Sequence, residues 1–148
     1  MKDVFDALQY EVSDKIIHQL SEDYIKYLPE YNNLFDGAIE ILDYLKPNYK
    51  LHIITNGFAS VQTKKLKNSN IDHYFETITN SEMAGVKKPH RNIFDFALSL
   101  ANASKNDSLM IGDSYEADIV GAQDAGIEAI FFNEHNSDIE NPVLQIKH

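Results

Sequence analysis

The 148 residues suit one domain of ordinary size, and 43% apolar with 24% charged residues is the balance of a globular chain with a real core. The chain has no cysteine, which excludes a disulfide framework and any thiolate metal site. Thirteen Lys plus Arg against twenty-three Asp plus Glu give a net charge of −10, which repels phosphate backbones and anionic lipid and argues against nucleic-acid or membrane partners. No apolar run approaches the roughly 20 residues of a membrane span. The opening MKDVFDALQYEV lacks the basic-then-apolar order of a signal peptide, so the expected location is cytoplasmic.

The first thirty residues read as helix, with Phe5, Leu8, Val12, Ile16, Ile17, Leu20, Tyr24, Ile25 and Leu28 at mostly three- and four-residue steps. Pro29 is expected to end that region, and Tyr24, Tyr27 and Tyr31 are read as packing residues. Asp36 looks like an N-cap for a helix whose apolar stripe is Ala38, Ile41, Leu42 and Leu45, stopped by Pro47. From there the chain alternates. Leu51 to Ile54 is a short buried-strand run ending in Thr55-Asn56-Gly57, followed by a helix from about Ala59 to Lys67 and a second strand around Phe75 to Thr79. Pro89 suits the first residue of a helix with Ile93, Phe94, Ala97 and Leu100 on one face. Ser108 to Ile111 is a third strand breaking at Gly112-Asp113, the next helix runs to Ala125 with Gly126 as its stop, and Ile127 to Phe132 is a fourth strand. Strands separated by helices imply a parallel sheet in a doubly wound α/β core.

In such sheets ligands bind beyond the carboxyl ends of the strands. Those ends carry Thr55-Asn56-Gly57 and Gly112-Asp113-Ser114, and the loop after the second strand carries Gly85-Val86-Lys87-Lys88-Pro89. A hydroxyl, backbone amides, an ammonium and a carboxylate facing one crevice suit a phosphate and a divalent cation. Thr55 and the amides of Asn56 and Gly57 can donate to phosphate oxygens, Lys88 can neutralise their charge, and Asp113 offers the hard oxygen that Mg²⁺ prefers. Asp118, five residues past Asp113, can support the metal or hold Lys88 in place. Each residue also has an ordinary structural use: Thr55-Asn56-Gly57 as a plain turn, Lys87-Lys88 as solvated charges, Asp113 as a helix cap, and Glu116, Asp118 and Asp124 as exposed helix charges. The six histidines show no ligand spacing and are read as structural or surface residues. It is the ordered set of strand ends that favours a site.

With these residues in view, the sequence resembles the haloacid dehalogenase superfamily of phosphohydrolases. Ile53-Ile54-Thr55-Asn56-Gly57 is similar to its second motif, Gly85-Val86-Lys87-Lys88-Pro89 with Ile93-Phe94 to its third, and Met110-Ile111-Gly112-Asp113-Ser114 with Asp118 to its fourth. The resemblance spans roughly residues 30 to 133 and implies a three-layer Rossmann-like core, a Mg²⁺ cofactor bound at Asp113 and Asp118, and catalytic roles for Lys88 and Thr55. Leu34-Phe35-Asp36-Gly37-Ala38, Ile54-Thr55-Asn56-Gly57-Phe58 and Phe131-Phe132-Asn133 look most like the noncanonical pyrimidine 5′-nucleotidases, which implies a small phosphorylated substrate such as a nucleotide.

One departure counts against this. The family's reaction starts at an Asp-x-Asp motif on the first strand, whose leading Asp becomes an aspartyl-phosphate and whose second Asp is acid and base. No Asp-x-Asp occurs in the 148 residues; Asp3-Val4-Phe5-Asp6 has the wrong spacing and no strand before it. Residues 1–30 therefore read as the remnant of a helical cap and 31–148 as a core without its first strand. The chain is expected to begin after its nucleophile and to stop, at Leu144 to His148, short of a final helix. The resemblance places the missing strand between those ending at Asn56 and Asp113, leaving a slot about two strand spacings of 4.8 Å wide. Either the flanking strands close on each other or another chain fills the slot by self-association. With Asp113 as the main direct ligand left, Mg²⁺ affinity should be weak. The leading expectation is a phosphomonoesterase by descent that is silent as written. Its alternative is a non-catalytic phosphate- or nucleotide-binding module; a signalling receiver domain is disfavoured because Asp113 follows Thr55 and Lys88 rather than preceding them.

Overall fold

The structure, a computed structural model, describes residues 2–139 and 143–146; the remaining positions of the expected cap and core lie outside the described residues. The helical N-terminal region is two helices rather than one: α1 is Lys2–Ala7 and α2 is Asp14–Tyr27. Gln9 at φ 54° closes the first, and the Ser13 side chain caps the second by accepting from the Ile16 N–H at 3.4 Å. Neither helix buries a residue. The tyrosines expected to pack are exposed instead, Tyr31 by 74%, because nothing among the described residues covers the outer face of this segment. The α-helix stops at Tyr27, and Pro29 lies buried in the 3₁₀ turn Leu28–Glu30 with which the helical region ends, as expected. Helix α3, Ala38–Leu45, starts from Gly37 at φ 81° and no side chain caps it, so the expected Asp36 cap is replaced by a left-handed turn that glycine adopts without strain.

Four expected strands are present. They are β1 (Leu51–Thr55), β2 (Phe75–Asn80), β3 (Leu109–Gly112) and β4 (Glu128–Phe132), joined by a short β5 (Gln145–Ile146) that the sequence did not announce. All pairings are parallel, as strand–helix alternation requires. Between them run α4 (Ala59–Asn68), α5 (Ser81–Ala84), α6 (Arg91–Ala101), a π-type turn (Tyr115–Val120) and α7 (Gly121–Ala125). Gly126 at φ 84° closes α7 as expected. Pro89 does not open α6; His90 is its N-cap and accepts from the Asn92 N–H through Nδ1 at 3.2 Å. His52, inside β1, pairs across to Thr77 Oγ1 at 2.8 Å, a structural use of that ring.

The strands form two sheets, β1-β2 and β3-β4-β5, so the two flanking strands do not close on each other. Packing explains why. Ile93 and Phe94 of α6, both 0% exposed, form one cluster with Ala122, Ala125 and Ile127, and Ile54 of β1 and Met110 and Ala129 of β3 and β4 pack against it. A helix about 10 Å across holds both half-sheets, and drawing the strands together would break that core. One consequence is that β3 keeps Leu109 and Ile111 half exposed.

Candidate functional site

The strand ends expected to carry chemistry do converge. Lys88 lies in the loop before α6, and its ammonium donates to Ile54 O at the end of β1 at 2.9 Å and to Asp118 Oδ1 in the turn after β3. One side chain thereby bridges the two half-sheets. Both partners are secluded: the Lys88 side chain is 11% exposed and that of Asp118 is 5% exposed. An ammonium has three protons, and two of them are used here, which leaves one donor for a ligand.

Asp118 is placed by its surroundings. Its second oxygen accepts from the Ser114 N–H at 3.1 Å, its own N–H donates to Ser114 O at 2.8 Å, and Ser114 Oγ caps the turn by accepting from Ala117 N at 3.3 Å. The π-type turn brings Asp118 so close to β3 that a Cβ on Gly112 would fall well inside van der Waals contact with its carboxylate and its Cβ. Gly112 is therefore glycine because Asp118 occupies the space of its side chain. Of the two acidic residues considered, Asp118 belongs to the lysine, and Asp113 lies exposed at the strand end. Helix capping, an ordinary use open to Asp113, falls to Ser114 instead.

Thr55 ends β1 half-buried, with its Oγ1 accepting from the Gly57 N–H at 3.0 Å. The hydroxyl proton stays available for an anion, while the Gly57 donor is engaged within the turn. Asn56 is held differently from a phosphate donor. Its side-chain amide pairs with the backbone of Lys88, Nδ2 donating to Lys88 O at 3.1 Å and Oδ1 accepting from Lys88 N at 2.7 Å. Its carbonyl accepts from Ser81 Oγ at 3.3 Å. Asn80 caps α5 by accepting from the Glu82 and Met83 N–H groups at 3.0 Å each, and Glu82 in turn accepts from Ala59 N at the start of α4 at 3.2 Å. Ser81, Ser114 and the side chain of Asn56 were not legible as site residues; a polar residue directly after a strand and before a helix is the only signal they carry.

The donor set can be tested against Mg²⁺. That ion takes six oxygens in near-octahedral array. Among the described residues no three His, Asp or Glu side chains gather, and Asp118 is already committed to Lys88 and Ser114. Asp113 offers one carboxylate. The residues present do not by themselves make a Mg²⁺ site. What they make is a small polar corner, with the Thr55 hydroxyl and one remaining proton of the Asp118-paired Lys88 ammonium near the strand ends.

The family model described as haloacid dehalogenase-like hydrolase matches residues 1–132. Among curated relatives, the pyrimidine 5′-nucleotidase YjjG of Escherichia coli is 37% identical over 119 residues, covering 80% of this chain and 53% of that protein. A glyceraldehyde 3-phosphate phosphatase of Pyrococcus abyssi is 39% identical over 97 residues, covering 65% of this chain and 41% of the relative. The chain thus spans about half the length of the curated relatives it matches. Among solved structures, that of the putative HAD-hydrolase YfnB of Bacillus subtilis bound to magnesium superposes with a TM-score of 0.84 at 31% identity, over 97% of this chain and 63% of that one.

Proposed function

Because the chain belongs to the haloacid dehalogenase-like hydrolases, we propose that it carries the phosphate-holding half of a phosphomonoesterase site, of the kind that acts on nucleoside monophosphates. The observation that carries this reading is Lys88, buried between Asp118 and Ile54 O with one proton to spare, its ammonium bonded to the residue that directly precedes Thr55. A phosphate monoester entering the corner takes one oxygen to the Thr55 hydroxyl, one to the Asn56 N–H and one to the Lys88 ammonium. Phosphoryl transfer depends mainly on such positioning and charge neutralisation, so these groups lower the barrier only once a nucleophile lies in line with the leaving oxygen.

These 148 residues contain no Asp-x-Asp, and Asp118, the buried carboxylate of the corner, is not free to attack because both its oxygens are hydrogen-bonded. The reading is therefore of binding without turnover by this chain alone. Mg²⁺ is the cofactor the family implies, and among the described residues the one exposed carboxylate at the strand end, Asp113, does not by itself make a site for it. The test is hydrolysis of an aryl phosphate in Mg²⁺, with Asp113→Asn as background. No turnover by either protein above the rate in buffer fits the proposal; turnover by the wild-type chain, above all turnover that vanishes in the variant, means that a group of this chain attacks phosphorus and refutes it.

A further inference from the structure

The side chain of Asn56 makes two hydrogen bonds to a single residue thirty-two positions away: it donates to Lys88 O and accepts from Lys88 N. These two atoms flank the Lys88 Cα, so fixing both fixes the direction in which its side chain leaves the backbone. The geometry is that of a hydrogen-bonded pair in an antiparallel ladder, with a side-chain amide standing in for the second strand. The far end of the same lysine is fixed by Ile54 O and Asp118. A four-carbon chain pinned at both ends loses most of its rotamer freedom. Asn56 is itself pinned, because it follows Thr55 directly and its carbonyl takes the Ser81 hydroxyl.

We propose that Asn56 is a positioning residue, which sets the Lys88 ammonium at a fixed spacing from the Thr55 hydroxyl by clamping the lysine's backbone. This goes beyond the phosphate reading by assigning the Asn56 side chain to the lysine rather than to the ligand, and it rests on that reading only for what the lysine then does. The chemistry explains the residue type. Aspartate would keep the acceptor for Lys88 N–H but set a carboxylate oxygen against Lys88 O and add negative charge beside an anion site; alanine would remove both bonds.

The experiment uses protein labelled with ¹³C-lysine, with the Lys88 Cε–Hε signals assigned by their loss in Lys88→Arg. A pinned lysine gives two separate Hε shifts, and a freely rotating one gives a merged signal. The expected result is separated signals in the wild-type chain, merging in Asn56→Ala and in Asn56→Asp, with the signals of the remote Lys50 unchanged and both variants folded by circular dichroism. Separated Lys88 signals in either folded variant overturn the proposal, as does a merged signal in the wild type. Unfolding of both variants also overturns it, by assigning Asn56 to stability alone. Inorganic phosphate added to the same samples separates the two claims. Failure of the wild type to bind phosphate with its Lys88 signals still separated refutes the phosphate reading and leaves the clamp standing.

Discussion

Replacing Asp118 with asparagine is the sharpest perturbation of the buried pair. The carboxylate uses both oxygens, Oδ1 for the Lys88 ammonium and Oδ2 for the Ser114 N–H at 3.1 Å. An amide has only one oxygen, so whichever way the new side chain turns, its NH₂ faces a donor. With the two side chains 11% and 5% exposed, water can do little to relieve the conflict. Removing one partner of a buried ion pair costs about 3–5 kcal/mol. For a domain of this size that is a fall in Tm of roughly 6–20 °C. Lys88→Met should cost a similar amount, because it strands the carboxylate on the single Ser114 N–H. The double variant Lys88→Met/Asp118→Leu should be more stable than either single one, since no unpaired charge remains. Calorimetric or circular-dichroism melts of the wild type and these variants make the comparison. A shift below about 2 °C for Asp118→Asn would refute the claim that this pair is buried and uniquely matched.

Two further predictions concern neighbours of the site and of the fold. Gly112→Ala should lower Tm and weaken phosphate binding together, because the new methyl falls on the Asp118 carboxylate and pushes it off Lys88; unchanged melting in that variant would contradict the close approach. Tyr74 donates its phenol proton to Asp43 Oδ1 at 2.6 Å, and that bond, then burial, then the Asp43 charge raise its pKa above the ordinary value of 10.0. A folded pKa raised above the unfolded one gives stability that is full below about pH 10 and declines as pH climbs through the folded pKa. Urea unfolding across that alkaline range should therefore show a decline that Tyr74→Phe reduces, and an identical decline in the variant would sink the assignment.

Much of this site is legible in the sequence. Thr55 is found at a strand end, and Lys88 and Asp118 in the segments that follow the next strands, because parallel strands put successive carboxyl ends on one edge. For Asp118 the sequence left two uses open, supporting a metal or holding Lys88, and its bond to the Lys88 ammonium shows the second. Other features were not legible, for identifiable reasons. The Asn56 clamp joins residues thirty-two apart, and nothing local distinguishes it from a turn asparagine. The start of α3 went to Gly37 rather than Asp36, and that of α6 to His90 rather than Pro89, because each choice depends on backbone angles that neighbouring packing sets. The separation of the sheets depends on α6 bridging both halves, which is a tertiary fact that no strand pattern contains.

The central claim is that a phosphate-holding corner stands between the two half-sheets without needing turnover to reveal it. Titration calorimetry with a pyrimidine nucleoside monophosphate tests it most directly, using the wild-type chain, Thr55→Val and Lys88→Met below the melting onset of all three. Saturable binding by the wild type, weakened in Thr55→Val and lost in Lys88→Met, is the predicted result. No saturable binding by the folded wild type, or equal binding by all three, would contradict the account.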